Sequence, residues 1–343
     1  MLKPSCVGFL LVLLQTNADA ARYRLRWVLV HNHTDAIERS VLDFASRVKA
    51  RTHGDVAVEI LTPAQYGAKY GGGESPPQQK LMNDVASGKI EMYQAYTKTF
   101  SRYLPRLTAL GIPFIFRDYD HAEAVMEGPI GRRLLDDLRS VSPVRALAFT
   151  YSGGFVVMAT TNRIVDTPER LRGLRMLMMP GNVSALTATR LGFQRVPGPP
   201  ERFVPLFQAG RVDSVETTYS CFAGYGDDAY AKTITDTEHF LLTTLIVIND
   251  RFFQSLPEPY QNVITRTAEE TARQERRESI ELLAKRRREL ERRGVRIVEL
   301  SPEQKAAYRK ALAPVGDQLA KELGADFIEQ IRSAGRTAPA LRD

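Results

Sequence analysis

The stretch TPERLRGLRMLMMP at residues 167–180 decides the fold of this chain. Pro168 can open a turn of helix, and residues 174–179, which are apolar except for Arg175, are predicted to form a strand. A helix is predicted over residues 183–191, and the same alternation of strand and helix recurs on both sides of this stretch. This alternation of strand and helix predicts a layered α/β protein with mostly parallel sheet.

The remaining elements follow the same alternation. Strands are predicted at residues 23–30, 56–61, 90–96, 145–151, 155–160, 241–248 and 295–300, and helices at residues 34–52, 78–87 and 119–138. A long helix is predicted from Pro257 to about Arg293, where Gly294 ends it, and the box Ser301-Pro302-Glu303-Gln304 starts another that continues to about Leu323. Residues 63–77 are predicted to be a glycine-rich loop, and the tail after Arg332 to be loose.

The N-terminus predicts export. Lys3, an apolar run at residues 7–14 and the small-x-small group at residues 18–20 indicate a cleaved signal peptide over residues 1–20. An apolar run of about eight residues is too short to span a membrane, which needs about 20. We therefore expect a periplasmic protein, and its mature form keeps Cys221 but not Cys6, so it has no internal disulfide.

Composition and charge exclude several function classes. With 343 residues, 43% hydrophobic and 25% charged, the chain has the composition of a globular protein with room for two cores. The formal charge is +7, but the basic residues at 273–296 are interleaved with acids, as in the pair Glu281 and Lys285, which is typical of a solvated helix face. We expect no nucleic-acid partner, and we expect a monomer.

Motifs that carry chemistry are missing from the sequence. It contains no His-Glu-x-x-His, Gly-x-Ser-x-Gly or Gly-x-Gly-x-x-Gly motif. The nearest features are the turn at Ser152, the thiol of Cys221, and the pair His31 and His33, which could ligate a metal or be one pocket residue and one solvated residue. We expect a binding protein with no enzyme activity, no cofactor and no metal.

The stretch at residues 167–180 resembles the segment Pro-x-Asp-Leu-Lys-Gly-Leu-Lys-Ile-Arg-Val-Pro of TRAP-transporter solute receptors of the DctP type. The resemblance continues through residues 191–197 to FQAGRVDSVE at residues 207–216, which is similar to the family's Leu-Gln-x-Gly-x-Val-Asp-Gly-x-Glu. Shorter matches occur at residues 88–91, 111–114, 256–257 and 294–298. The resemblance runs nearly end to end.

This resemblance implies a two-lobed periplasmic binding protein fold, with crossing hinge strands and a long helix spanning both lobes. Lobe I is expected to comprise residues 21–150 and 242–283, and lobe II residues 151–241 and 284–343. Such receptors deliver a small organic solute to a small and a large membrane subunit, using an ion gradient. The alternatives are a periplasmic sensor component and, with less support, an exported enzyme.

The family's carboxylate-binding arginines are missing from their expected positions. The first corresponds to Leu177, and the second falls at about Val156 or Val157. A buried carboxylate without a cation costs several kcal/mol. Either the solute is aromatic, neutral or cationic, or an acid is held by another cation, with Lys98, Arg102 and Arg195 as candidates.

The resemblance also indicates which residues line the ligand pocket. Tyr96, Pro200 and Thr217 align with ligand contacts of the family. Others close by or weaker are Tyr93, Gln94, Tyr219, Phe222, His31, His33, Tyr66 and Phe240. Core packing is the alternative for Tyr93, Met178 and Phe222, and Glu216 is expected to be structural.

Overall fold

The computed structural model describes residues 21–32 and 37–335 and shows two lobes, each built on its own sheet. The strands are β1 (Tyr23–Val28), β2 (Val56–Leu61), β3 (Met92–Tyr96), β4 (Val144–Phe155), β5 (Val157–Thr160), β6 (Arg175–Met178), β7 (Gln194–Pro197), β8 (Ser214–Thr217), β9 (Thr233–Asp236), β10 (Leu241–Asn249) and β11 (Arg296–Glu299). None of the helices in these residues has the length and apolar composition that a membrane span requires.

The strands alternate with helices of very different lengths. The α-helices are α1 (Glu38–Arg51), α2 (Pro63–Tyr70), α3 (Gln78–Ala86), α4 (Tyr119–Glu127), α5 (Pro129–Val141), α6 (Asn182–Leu191), α7 (Phe203–Gln208), α8 (Tyr219–Tyr225), α9 (Asp250–Ser255), α10 (Glu258–Arg292), α11 (Pro302–Leu323) and α12 (Ala325–Ser333). Short 3-10 helices lie at Thr97–Arg102, Pro105–Gly111, Pro168–Leu171, Pro200–Arg202 and Asp227–Ala229.

The first sheet has the strand order β2-β1-β3-β10-β4. Strand β1 pairs in parallel with β2 and β3, whereas β10 runs antiparallel to both β3 and β4. One face packs on α1, where the ring of Trp27 meets Phe44 edge to face at 4.8 Å. The alternation of buried Leu25 and Trp27 along β1 directs large side chains to that helix.

The second sheet has the order β11-β9-β5-β8-β6-β7. Strand β5 runs antiparallel to β8 and β9, and the other pairs are parallel. Both sheets are therefore mixed, and the prediction of mostly parallel sheet is wrong for β5 and β10. These strands enter their sheets from the other lobe, which reverses their direction relative to strands connected by crossover helices.

Two chain segments pass between the lobes beside each other. Strand β4 ends at Phe155 in the first sheet, and β5 begins two residues later in the second, while β10 returns from β9 and pairs along β4. The pairing shifts register between Leu242 and Thr243, opposite Gly153 and Gly154, whose φ angles are 82° and 91°. This arrangement confirms the predicted two-lobed fold with crossing strands.

Helix α10 contacts both lobes, as the sequence predicted. Its 35 residues correspond to a length of about 50 Å. Near its start, Ile264 and Ala268 pack in the cluster that contains Trp27, and near its end Leu290 packs with the apolar residues of the second sheet. Between them, Arg276 donates a hydrogen bond to the carbonyl of Phe149 in β4 at 2.7 Å.

Two predictions of local structure are wrong. Residues 63–70, expected to be part of a loop, form α2, because Thr62 and Gln65 make a capping box and Pro63 takes the first helical position. The helix predicted over residues 119–138 is divided into α4 and α5 at Gly128–Pro129, since proline lacks the N–H that would continue the helix. The signal peptide, His33 and the predicted start of α1 lie outside the described residues.

Candidate functional site

A cavity of about 160 Å³ lies where the two lobes meet. Residues after β3 and at the start of β10 line it from one side, and residues at the end of β6, the first turn of α6 and β8 line it from the other. Its apolar wall comprises Leu107, Leu110, Met178, Phe240, Leu241 and Leu242, and its polar lining includes Tyr96, Thr97, Lys98, Asn182, Ser184, Glu216 and Thr243. Of the aligned contact positions, Tyr96 therefore lines this cavity.

Lys98 connects the two sides of the cavity. Its Nζ donates a hydrogen bond across the lobes to the carbonyl of Pro180 at 3.2 Å and lies 5.9 Å from the centre of the Tyr96 ring. Burial lowers the pKa of Lys98 to about 8, the charge of Glu216 opposes this shift, and Arg195 adds to it. The cavity therefore holds a cation that is close to its titration range.

His239 holds the carboxylate of Glu216 in place. The Nε2 atom of His239 lies 2.9 Å from Oε1 of Glu216, and its Nδ1 atom lies 2.8 Å from the hydroxyl of Thr237. Both side chains of the Glu216–His239 pair are buried. A buried carboxylate needs such a partner, so this pair agrees with the structural role expected for Glu216.

A cluster of hydroxyl groups surrounds His31 beside this cavity. The Nε2 atom of His31 lies 3.0 Å from the hydroxyl of Tyr96 and 2.7 Å from Oγ of Ser152, and its Nδ1 atom lies 3.0 Å from the hydroxyl of Tyr225. Tyr225 belongs to α8 of the second lobe, and Ser152 to the crossing strand β4. The cluster joins both lobes. Its members lie far apart in the sequence, so the sequence did not predict that they meet.

Leu177 and Val157 lie in a different environment. Both pack with Tyr219 in the buried apolar cluster of the second sheet. Since side chains alternate along a strand, Leu177 faces away from Met178, which lines the cavity. Leu177 and Val157, where the family resemblance predicts arginines, thus lie in apolar core on the face opposite Glu216 and Met178. Val156, the other expected position of the second arginine, packs with Tyr96 and Leu242 beside the cavity.

The other candidate contact residues are buried, and among them the hydroxyl of Tyr93 and Oε1 of Gln94 have no hydrogen-bond partner in the described residues. Gln94 donates to the hydroxyls of Thr150 and Thr244, at 3.2 Å each, inside the first sheet. Tyr93 is fully buried in the core, Pro200 is buried at the start of a 3-10 helix, and the hydroxyl of Thr217 donates to the carbonyl of Thr218 at 3.4 Å. These four residues thus lie outside the lining of the cavity.

The sequence of the chain matches a known family over most of its length. Residues 29–323 match the profile of the bacterial extracellular solute-binding proteins of family 7, named DctP. The chain belongs to the DctP family. This assignment confirms the resemblance and places the protein among solute-binding receptors.

Relatives and solved structures of the DctP family agree in sequence and fold. A solute-binding protein of Verminephrobacter eiseniae is 30% identical over 291 residues, which cover 85% of this chain and 83% of the relative. A TRAP periplasmic solute-binding protein from Sulfurospirillum deleyianum, with bound succinate, has 25% identity and a TM-score of 0.80. The match covers 92% of this chain and 100% of that protein's chain. One from a Polaromonas species, bound to D-erythronate, has 22% identity and a TM-score of 0.83 over the same shares.

Proposed function

We propose that this protein is the extracytoplasmic solute receptor of a TRAP-type transporter. It captures a small organic acid in the periplasm, closes its lobes on it, and delivers it unchanged to a small and a large membrane subunit. The observation that supports this proposal most is the cavity between the lobes, because Lys98 of one lobe and Pro180 of the other meet there. A ligand in such a cavity adds contacts only when the lobes are together, so it favours the closed state.

The choice of an acid over a neutral or cationic solute has two supports. Lys98 supplies a positive charge in the cavity, and the solved relatives named above hold succinate and D-erythronate. Lys98 is also one of the cations that the sequence offered in place of the expected arginines.

We propose that the signal peptide over residues 1–20 is removed on export.

The receptor is proposed to act as a monomer that consists of two lobes. The large apolar side chains exposed in residues 21–32 and 37–335 are Leu42, Tyr70 and Val141. They lie on separate elements, whereas stable protein interfaces present contiguous apolar patches. The proposed boundaries remain residues 21–150 with 242–283 for one lobe and residues 151–241 with 284–343 for the other.

A thermal-shift screen tests the receptor function. The mature chain is mixed with carboxylates and with neutral, aromatic and cationic solutes, and the melting temperature is recorded. We expect acids to raise it, since a ligand at 100 times its Kd stabilises the folded state by about 2.7 kcal/mol. NMR spectra of the ligand should be unchanged after overnight incubation. Turnover of the ligand, or no shift with any solute class, would contradict the receptor function.

A further inference from the structure

The lining of the cavity between the lobes combines a cation with apolar side chains. Lys98 and the first turn of α6 line it, and so do Leu107, Leu110 and Leu241. The hydroxyls of Thr97 and Thr243, which also line the cavity, are bonded to each other at 2.9 Å. The hydroxyl residues Thr108 and Thr187 also line the cavity, but most of its surface is apolar, so the body of a ligand would meet mainly apolar groups and its head would meet a cation.

Lys98 retains donors for a ligand. An ammonium group has three N–H donors, and in the described part of the chain Lys98 makes one hydrogen bond, to the carbonyl of Pro180. That carbonyl precedes α6 by two residues, so the ammonium lies close to the start of the helix. Charged donors that are partly withdrawn from water bind carboxylates more strongly than neutral donors do.

The first turn of α6 adds to the positive end of the cavity. Asn182, Val183 and Ser184 line the cavity, and Gly181 at the N-cap has no side chain to satisfy their N–H groups. The first N–H groups of a helix have no partner within it, and the helix dipole is positive at this end. A carboxylate between Lys98 and this turn would therefore be bound from two sides.

Glu216 limits the charge that a ligand can carry elsewhere. Its carboxylate lines the same cavity and is held by His239 at 2.9 Å. It attracts Lys98 and so supports the charged form of the ammonium. A second carboxylate on the ligand, or a negative group placed away from Lys98, would lie near Glu216 and be repelled.

We propose that this cavity binds a small monocarboxylate with an apolar body, with its carboxylate held by Lys98 and the first turn of α6. The inference rests on the proposed receptor function and names its ligand class. The apolar body contacts Met178, Phe240 and Leu242 on the wall. The carboxylate site thus lies on the opposite face of the second sheet from Leu177, where the family arginine would stand.

Binding should depend on pH through Lys98. The groups that face its ammonium are Tyr96 on β3, Glu216 on β8 and Arg195 on β7. Burial raises the pKa of Tyr96 well above its usual value, so it stays neutral. Because the pKa of Lys98 is lowered to about 8, the charged form that binds the anion is lost above that pH. The Kd for benzoate should be constant from about pH 6 to 7 and rise by up to about tenfold per unit above pH 8.

This pH dependence has an internal control. In Lys98→Arg the cation stays charged throughout, so the Kd should remain flat to about pH 9.5. Isothermal titration calorimetry at each pH measures both proteins. A Kd that rises equally in the wild type and in Lys98→Arg would assign the titration to another group and contradict the role of Lys98.

Three variants test the site directly. Calorimetry measures benzoate and 3-methylbutanoate against succinate, D-erythronate and the neutral 3-methylbutanamide. Lys98→Met should weaken binding of the two monocarboxylates about 10- to 100-fold, and Lys98→Arg should weaken it less. Arg102→Met removes a cation from the same 3-10 helix that instead contacts Tyr103, so it should leave the Kd unchanged.

The outcomes separate the ligand class from the receptor function. Unchanged affinity in Lys98→Met, or wild-type binding only of polyhydroxylated acids, dicarboxylates or neutral and cationic solutes, overturns the inference but leaves the receptor function standing. Failure of every solute class to bind overturns both. The melting temperature of each variant, measured without ligand, should be close to that of the wild type, because the Lys98 side chain makes a single hydrogen bond, to Pro180, within the described residues.

Discussion

Replacing Arg276 with alanine should lower the free energy of unfolding by about 3 kcal/mol. Its side chain is 3% exposed and donates to the carbonyl of Phe149 at 2.7 Å and to the carboxylate of Glu127. Removing it leaves a buried carbonyl without its partner and opens space between α10, α4 and β4. Urea denaturation, followed by circular dichroism, measures the loss.

Arg273→Ala is the matched control for this prediction. Arg273 lies three residues earlier on α10 and also bonds Glu127, at 3.2 Å, but it is 39% exposed. An exposed ion pair contributes less than about 1 kcal/mol, so the control should lose no more than that. Equal losses in the two variants would show that the contact with Phe149 contributes little.

Gly153→Ala should also reduce stability by about 3 kcal/mol and should impair lobe closure. Gly153 has φ 82°, and a Cβ atom there would lie 2.5 Å from Oγ1 of Thr218 and 3.2 Å from Cβ of Ser220. Thr218 caps α8, its Oγ1 accepting from the backbone N–H of Cys221 at 3.3 Å. Relief of the clash requires the crossing strand and the second lobe to move apart.

A second glycine separates the clash from the backbone effect. Gly173 has φ 79°, but a Cβ atom there would meet nothing within 4 Å. Gly173→Ala should therefore cost only about 1–2 kcal/mol, from the left-handed conformation alone. Small-angle X-ray scattering with saturating ligand should show compaction in Gly173→Ala but less in Gly153→Ala. The same compaction in both would contradict a role of Gly153 in closure.

The sequence predicted those elements that depend on local signals. β2 has the predicted boundaries, and the capping box at Ser301 and the glycine at 294 mark the ends of long helices as expected. The direction of β5 and β10 could not be predicted, because it depends on pairing between segments far apart in the chain. Helix α2 was missed although Thr62 and Gln65 carried a readable capping box, because the glycines after it suggested a loop.

The candidate site was predicted less completely than the fold. Lys98 could be named from the sequence as a cation, but its contact with Pro180 joins residues distant in the chain. The sequence also shows leucine at position 177, where the family resemblance predicts an arginine. That Leu177 faces an apolar cluster could have been inferred from alternation, since its neighbours Met176 and Met178 share the other face of β6.

The position of Cys221 makes the reactivity of its thiol a way to follow the opening of the two lobes. Its thiol is 1% exposed and lines a small hollow with His31 and Ser152, contributed by the first lobe and the crossing strand. If residues 1–20 are removed as proposed, it is the one cysteine left in the sequence. Because the sulfur is buried beside His31 of the other lobe, we expect an alkylating reagent to reach it when the lobes are apart, so the rate of alkylation should report the open fraction without any engineered label. A solute that holds the lobes together should slow that reaction in proportion to its occupancy.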